Sequence, residues 1–288
     1  MCLVVLAWKS HPRYRLIVAA NRDEFHERPS APLGWWQDEP RILAGRDLRG
    51  GGTWMGVARS GRFGIVTNFR DLETPPAPDA PSRGELVTRF LKGMTSPKEY
   101  LDDLRGRAPR YSGFSLLLGG PRALYYFSNR NGGAARQLRA GVYGLSNHWL
   151  DSPWPKLLRT RARLAELAQR DLVETEDMFA LLADREPADA DENPDTGLPP
   201  EWERALSAPF VVHERYGTRC STLLLVERNG RTTLLERRFD AAGTLTGSSR
   251  MAFDSMDVPE RWLDNDDTQD ADATDTRALH RSFDTSAE

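Results

Sequence analysis

The second residue of the chain carries the side chain best suited to chemistry. Cys2 follows Met1 directly, and a small residue in that place permits removal of the initiator methionine. The mature chain would then begin with a thiol of ordinary pKa about 8.5 and an α-amine of about 8 on one residue. Such an amine can take the thiol proton, which makes an N-terminal nucleophile. The alternative is a small apolar residue that packs in an edge strand.

A polar cluster follows the second apolar run of the chain. Residues 21–24, Asn-Arg-Asp-Glu, come directly after the Val, Ile and Leu side chains of residues 15–20. Residues 2–8 form a similar run, and antiparallel pairing of the two runs brings the start of one beside the end of the other. The sequence therefore predicts that Cys2 lies close to Asp23. A solvated loop with a surface salt bridge is the alternative.

Three further polar residues stand at the ends or starts of candidate strands. Asn68 and Asn147 carry amides that can donate to an oxyanion, and Arg219 can bind a carboxylate through two nitrogens. Each has a simpler explanation, since Asn is common in turns and Arg on surfaces. Residue type and position alone therefore leave the roles of these three residues open.

Composition excludes several classes of protein. The 39 basic and 42 acidic residues give a net charge of −3, so there is no basic field for nucleic acid. No run approaches the roughly 20 apolar residues of a membrane span, and no basic segment precedes residues 2–8 as in a signal peptide. We predict a cytoplasmic protein. Two cysteines, Cys2 and Cys220, and five scattered histidines give no disulfide framework and no metal spacing, so no cofactor is expected.

The pattern of apolar runs predicts an α+β fold. Strands come in groups with helices between the groups, which favours mostly antiparallel sheets covered by helices. Glycines 50–52 mark a tight turn or a close approach of another segment, and Asn229-Gly230 predicts a hairpin. We predict one domain over residues 1–263 and a disordered acidic tail over residues 264–288. Candidate strands are residues 2–8, 15–20, 53–58, 63–69, 114–118, 124–128, 142–145, 222–227 and 232–239; candidate helices follow Ser82 and Ser96 as caps and span residues 156–169 and 175–184.

The ordered motifs resemble those of the NRDE family, also called the transport-and-Golgi-organisation family. They run from residue 1 to about 260 and comprise Met1-Cys2, Asn21-Arg22-Asp23-Glu24, Gly51-Gly52-Thr53-Trp54, Thr67-Asn68-Phe69-Arg70-Asp71, Ser82-Arg83-Gly84, Leu145-Ser146-Asn147 and Tyr216-Gly217-Thr218-Arg219. That family is similar to the N-terminal nucleophile hydrolases, such as conjugated bile-salt hydrolase and penicillin V acylase.

The resemblance implies a four-layer αββα sandwich of two mostly antiparallel sheets and a set of catalytic roles. Cys2 would be the nucleophile and its α-amine the base, with Asp23 holding the amine or thiol. Asn68 and Asn147 would orient the oxyanion and the amine, and Arg219 would complete the charge network. These roles imply that the five side chains converge on one cleft. In the bile-salt branch an arginine lies three residues before the matching Asp, whereas Ala20 stands there in this chain. Asn21, Arg22 and Trp54 are predicted to contact the substrate.

Two hypotheses of function follow, from different classes. The first is a cysteine amidohydrolase or acyl-transfer enzyme that acts on a small acylated amide. The second is a non-catalytic carrier of haem or of an acyl-CoA or lipid in the same cleft, with His26, Met55 and His148 as possible haem ligands. An interaction protein that exposes Trp35 and Trp36 is a third reading. We also expect a depressed pKa for the Cys2 thiol and an inert, buried Cys220. The oligomeric state stays open.

Overall fold

The computed structural model describes residues 2–72, 74, 79–130, 132–189, 191–192 and 196–255, all within one compact unit. The predicted tail, residues 264–288, and the last residues of the predicted domain lie outside this set. In the described part the strands are β1 (Cys2–Trp8), β2 (Tyr14–Phe25), β3 (Ser30–Trp35), β4 (Ile42–Asp47), β5 (Met55–Ala58), β6 (Phe63–Asn68), β7 (Phe114–Gly119), β8 (Leu124–Ser128), β9 (Arg136–Gln137), β10 (Gly141–Leu145), β11 (Tyr216–Glu227), β12 (Arg231–Phe239) and β13 (Leu245–Asp254). The helices are α1 (Gly84–Lys92), α2 (Pro97–Arg107), α3 (Pro155–Leu167), α4 (Thr175–Leu182) and α5 (Pro200–Leu206), with a 3-10 turn at Ala108–Arg110.

The strands form two antiparallel sheets. The first has the order β10-β1-β2-β11-β12-β13 and the second runs β3 through β9 in chain order. The N-terminal hairpin β1–β2 is therefore interior to the first sheet, because β10 adds beside β1 and β11 beside β2. This order surrounds the first residues of the chain with strands from much later in the sequence.

Alternation along the strands divides the apolar side chains between two interfaces. In β1, Val4 and Leu6 belong to the core between the sheets, where they meet side chains such as Ile65 of β6. Leu3 and Val5 point the other way and pack with α3 and α4. Successive strand residues face opposite sides, so a strand buried on both faces reads as a continuous apolar run.

Helices cover the outer face of each sheet. Phe90 of α1 and Leu101 of α2 pack on the second sheet, while Leu164 of α3 and Met178 of α4 pack on the first. The resulting layer order is α, β, β, α, which confirms the expected four-layer sandwich. Among the described helices, none is both long and apolar enough to cross a bilayer.

The helix starts and turns test the local signals. Ser96 accepts a hydrogen bond from the backbone of Glu99, whose carboxylate accepts one from Ser96, so the expected capping box opens α2. The same expectation at Ser82 is wrong, because the cap of α1 is Arg83 and no side chain bonds there. The hairpin at Asn229-Gly230 is confirmed, with Gly230 at φ +93°.

Several elements were missed because their apolar patterns are weak. The strand β3 contains Pro32 and Gly34 and has an irregular register with β4. At the sheet edge, β13 exposes much of its length. Edge strands bury few side chains, so the alternation that identifies a strand is largely lost.

Glycines 50–52 do mark a close approach, as expected. A Cβ added at Gly52 would lie 2.6 Å from the carbonyl carbon of Gly84, at the start of α1. Gly51 also has a φ of +71°, which other residues rarely adopt. The loop therefore presses backbone against backbone beneath the first turn of α1.

Replacing Gly52 should strain this contact. We expect Gly52→Ala to lower the free energy of unfolding by about 1–3 kcal/mol, because neither backbone can move aside cheaply. Gly106→Ala is the matched control, since a Cβ there meets nothing within 4 Å, and it should be neutral or stabilising by up to about 1 kcal/mol. Urea denaturation measures both. Equal effects of the two substitutions would refute the close-approach explanation.

Candidate functional site

Three of the predicted catalytic residues, Cys2, Asp23 and Arg219, lie at one end of the first sheet. Cys2, at the start of β1, pairs with Arg22 near the end of β2. On the other side of β2, Asp23 pairs with Thr218 of β11. A β-bulge follows, so that Arg219 is an extra residue before Cys220 pairs with Arg22. The start of β1, the end of β2 and the start of β11 therefore lie side by side at this end of the sheet.

Asn147 fixes the backbone of Cys2. Its Oδ1 accepts a hydrogen bond of 2.9 Å from the backbone nitrogen of Cys2, and its Nδ2 donates to the carbonyl oxygen of Asn68 across 3.0 Å. Its own carbonyl accepts from the backbone of Arg70. The residue is buried and adopts φ +53°, a conformation that Asn tolerates better than most residues. Its side chain is thus held on both sides and aimed at the nitrogen of Cys2.

Asp23 is a buried carboxyl group held by β11. Its Oδ1 accepts a hydrogen bond of 2.7 Å from the hydroxyl of Thr218, and its carbonyl accepts one of 2.8 Å from the hydroxyl of Tyr216. Burial raises the pKa of Asp23, while the positive charge of Lys156 and the bond from Thr218 act to lower it. Sequence reasoning missed Thr218 as a partner, although it stands within the motif before Arg219.

The thiol of Cys2 is desolvated although the residue is half-buried. Burial raises its pKa above the ordinary value, and the positive charges of the chain's amino terminus and of Arg22, with a backbone N–H of Asp23, only partly oppose this. The expected depression of the Cys2 pKa concerns a chain that begins at Cys2 with a free amine, so it stays a prediction for the processed form. Cys220 is buried, and burial raises its pKa strongly.

A buried lysine joins the cluster without having been predicted. Lys156, in the first turn of α3, is 2 % exposed, and its Nζ donates a hydrogen bond of 2.7 Å to the carbonyl of Leu206. Burial lowers its pKa to about 8, against the opposing charges of Asp23 and Cys2. The sequence did contain one indication of this role. A lysine in the first turn of a helix is unfavourable because its charge opposes the helix dipole, so its presence there suggests a function or a buried partner.

Arg219 and Asp23 lie on different faces of the first sheet, so the prediction that all five side chains converge on one cleft is wrong for Arg219. The guanidinium of Arg219 donates to the carbonyl of His26 across 2.7 Å and lines a pocket between the sheets. Asp23 instead bonds Thr218 and lies within electrostatic range of Lys156 on the helix side. Within the described residues, Lys156 rather than Arg219 is thus the cation that accompanies Asp23 on that side.

The other predicted site residues are also divided between the pocket side and the helix side of the first sheet. Asn68 is exposed at the end of β6 and contacts Asn147 through its backbone. Arg22 and Trp54 line the pocket with Arg219. Asn21 is fully buried, and its amide donates to the carbonyls of Leu182 and Pro209. Asn21 therefore anchors the helix side of the fold, where it does not face the thiol.

The structure also places the possible haem ligands of the carrier hypothesis and the two tryptophans of the interaction-protein hypothesis. Trp36 is 5 % exposed and Trp35 packs on Phe253 at 5.1 Å, so the expected exposed tryptophan pair is wrong. Met55 lies in the core between the sheets, and His148 bonds the hydroxyl of Ser152 at 2.7 Å. His26 bonds the carbonyl of His213. Within the described ranges, no three His, Cys, Asp or Glu residues form a group that could hold a metal ion.

Comparison with known proteins supplies the relationship. The family model described as Transport and Golgi organisation 2 matches residues 1–241. The human Transport and Golgi organization protein 2 homolog is 33% identical over 257 residues, which cover 82% of this chain and 92% of the relative. The Drosophila melanogaster protein is 27% identical over 270 residues, with 86% and 93% covered.

Two solved structures are similar at low identity. A conjugated bile acid hydrolase from Clostridium perfringens has a TM-score of 0.48 at 7% identity, with 90% of this chain and 94% of that chain covered. A Caenorhabditis elegans ortholog of N-acylethanolamine-hydrolyzing acid amidase has a TM-score of 0.41 at 13% identity, with 78% and 92% covered. The family match rests instead on sequence, and it spans most of the chain. By that match, the chain belongs to the Transport and Golgi organisation 2 family.

Proposed function

We propose that this chain is an N-terminal-nucleophile cysteine enzyme, an amidohydrolase or acyl-transfer enzyme that acts on a small acylated amide. The observation that carries the proposal is the bond between the backbone nitrogen of Cys2 and Oδ1 of Asn147. A nitrogen that serves only in a strand ladder needs no buried side-chain acceptor. The proposal includes a cytoplasmic location, where an aminopeptidase can remove Met1.

Activation of the nucleophile requires that Met1 be removed. The nitrogen of Cys2 then becomes an amine, and Asn147 Oδ1 can accept one of its hydrogens and leave its lone pair for the thiol proton. Transfer of that proton from Sγ gives a thiolate and an ammonium on one residue. The ammonium offsets the desolvation that raises the thiol pKa in the unprocessed chain.

The reaction then follows acyl-transfer chemistry. The thiolate attacks the carbonyl carbon of the amide, and the C–N bond breaks as the ammonium returns its proton to the leaving amine. A thioester on Cys2 remains. Water attacks it in hydrolysis, or a second amine attacks it in acyl transfer, and the α-amine takes the proton of the attacking group. The C–S bond then breaks, and that proton passes to the sulfur of Cys2. The side-chain amide of Asn68, exposed at the end of β6, is the proposed donor to the oxyanion.

Asp23 and Lys156 provide a buried pair of charges beside this chemistry. The carboxylate of Asp23 favours protonated forms close to it, which include the ammonium of Cys2. Lys156 compensates Asp23 in the resting state, so the site need not hold a lone buried anion. In this proposal both are positioning residues, and neither bonds to the substrate.

The first prediction concerns processing and turnover. Active protein should lack Met1 in an intact-mass spectrum, and Cys2→Ala should abolish release of amine from a panel of N-acyl amines and N-acyl amino acids. Urea denaturation of Cys2→Ala is the control, since an unchanged midpoint separates the loss of the thiol from a loss of the fold. Amine release by a preparation that retains Met1 would contradict the mechanism, and so would full activity in Cys2→Ala.

The second prediction concerns the reactivity of the two thiols at pH 7. Removal of Met1 should speed alkylation of Cys2 by iodoacetamide about tenfold or more, because a fall of one pKa unit raises the thiolate fraction tenfold. Cys220 is 7 % exposed and its pKa is raised by burial, so it should react slowly in both forms. Peptide mass mapping over time separates the two. The activation step fails if processed and unprocessed chains label Cys2 at the same rate.

A further inference from the structure

A small pocket between the sheets lies beside Cys2 and is rich in arginine. Its volume is about 30 Å³, and its charged lining residues are Arg22, Arg46, Arg219, Arg238, Asp47 and Glu236. The pocket adjoins the candidate nucleophile, because Arg22 is paired with both Cys2 and Cys220 in the sheet.

Existing ion pairs account for only part of this charge. Asp47 is held by Arg28, outside the pocket, at 2.7 Å. Arg46 is bound to both carboxylate oxygens of Asp38, at 2.7 and 2.9 Å. Among the acids that line the pocket, this leaves Glu236 beside Arg22, Arg219 and Arg238.

Glu236 does not neutralise the three remaining arginines. Its Oε1 lies 3.9 Å from Nε of Arg238 and accepts a hydrogen bond from the backbone of Leu33. Burial raises the pKa of Glu236, which weakens it further as a counter-charge. The pocket therefore keeps an excess of positive charge.

Arg22 provides the most specific sign of a missing partner. Its residue is 7 % exposed, and its contact with Glu24, at 3.8 Å, is too long for a hydrogen bond. Its Nη1 is buried and has no hydrogen-bond partner among the described residues, and the same holds for Nε of Arg219. A buried donor without an acceptor is costly, particularly on a charged group, so both nitrogens suit an acceptor that arrives with a ligand.

We propose that this pocket binds a carboxylate of the substrate through Arg22 and Arg219, so that the acylated amide is an anionic one, such as an N-acyl amino acid. A site for one water needs about 10–15 Å³, so the pocket suits a group of two or three heavy atoms. Arginine binds carboxylates with two parallel hydrogen bonds. That the bound carboxylate belongs to a substrate rests on the proposed function. Binding of a carboxylate in the pocket can, however, be measured without turnover.

Two alkylating agents that differ in charge test the pocket. Iodoacetate and iodoacetamide both form an S–C bond at the thiolate and expel iodide, and the thiol proton passes to the buffer. The ratio of their rates at Cys2 is measured in the folded full-length protein by peptide mapping, which separates Cys2 from Cys220. The same protein in urea gives the reference ratio.

We expect the rate ratio of iodoacetate to iodoacetamide at folded Cys2 to exceed the reference ratio about tenfold, which corresponds to about 1.4 kcal/mol, because only iodoacetate carries a carboxylate for the arginines to bind. Arg22→Gln should return it close to the reference. Arg105→Gln removes the same charge from an exposed position on α2 and should leave the ratio unchanged. In the unsubstituted protein, millimolar acetate should slow alkylation of Cys2 by iodoacetamide, a test that needs no variant to fold.

A ratio equal to the reference, a preference that survives Arg22→Gln, or the absence of acetate protection would each overturn the carboxylate site. Failure of the proposed catalysis has a different signature. In that case the unsubstituted protein would release no more amine than Cys2→Ala does. The preference of Cys2 for iodoacetate in the unsubstituted protein would nevertheless persist.

Discussion

The position of the candidate nucleophile depends on the hydrogen bond from the backbone nitrogen of Cys2 to Oδ1 of Asn147. It links the first strand of the chain to the residue that follows β10, its neighbour on the sheet. Asn147 also binds the end of β6 through the carbonyl of Asn68, so one amide ties the first sheet to the second. The sandwich must close before this bond can form. The position of the nucleophile therefore depends on the complete fold.

Burial then sets the electrostatics around that bond. Asp23, Lys156 and Arg22 are 2 %, 2 % and 7 % exposed, and isolated charges so placed would cost several kcal/mol each. The fold divides them between two faces of the first sheet. Asp23 and Lys156 compensate each other on the helix side, whereas Arg22 lies on the pocket side with Arg219. Asp23 and Lys156 have opposite charges, whereas Arg22 Nη1 and Arg219 Nε are buried donors without a hydrogen-bond acceptor among the described residues.

How much of the site could be predicted depends on the range of each contact. The proximity of Cys2 and Asp23 follows from a hairpin that alternation and polar strand ends already indicate. The orientation of Arg219 does not follow, because one inserted residue at a bulge changes which side chains face the pocket. Lys156 and Thr218 were missed since their meeting with Asp23 is tertiary, between α3, β2 and β11. The edge strands β3 and β13 could not be predicted either. An edge strand buries few side chains, so its sequence lacks the regular alternation of apolar and polar residues that identifies a strand.

The role of the Cys2 amine as base can be tested most directly at Asn147. In protein that has lost Met1, Asn147→Ala removes the acceptor that holds the Cys2 amine but leaves both thiols and the charges of Asp23 and Lys156 in place. Urea denaturation first establishes that the variant is folded. The rate of Cys2 alkylation at pH 7 should then fall about tenfold, by the loss of one charge-assisted hydrogen bond, while Cys220 is unchanged. An unaltered Cys2 rate in the folded variant would show that Asn147 does not position the base, and the central claim would be wrong.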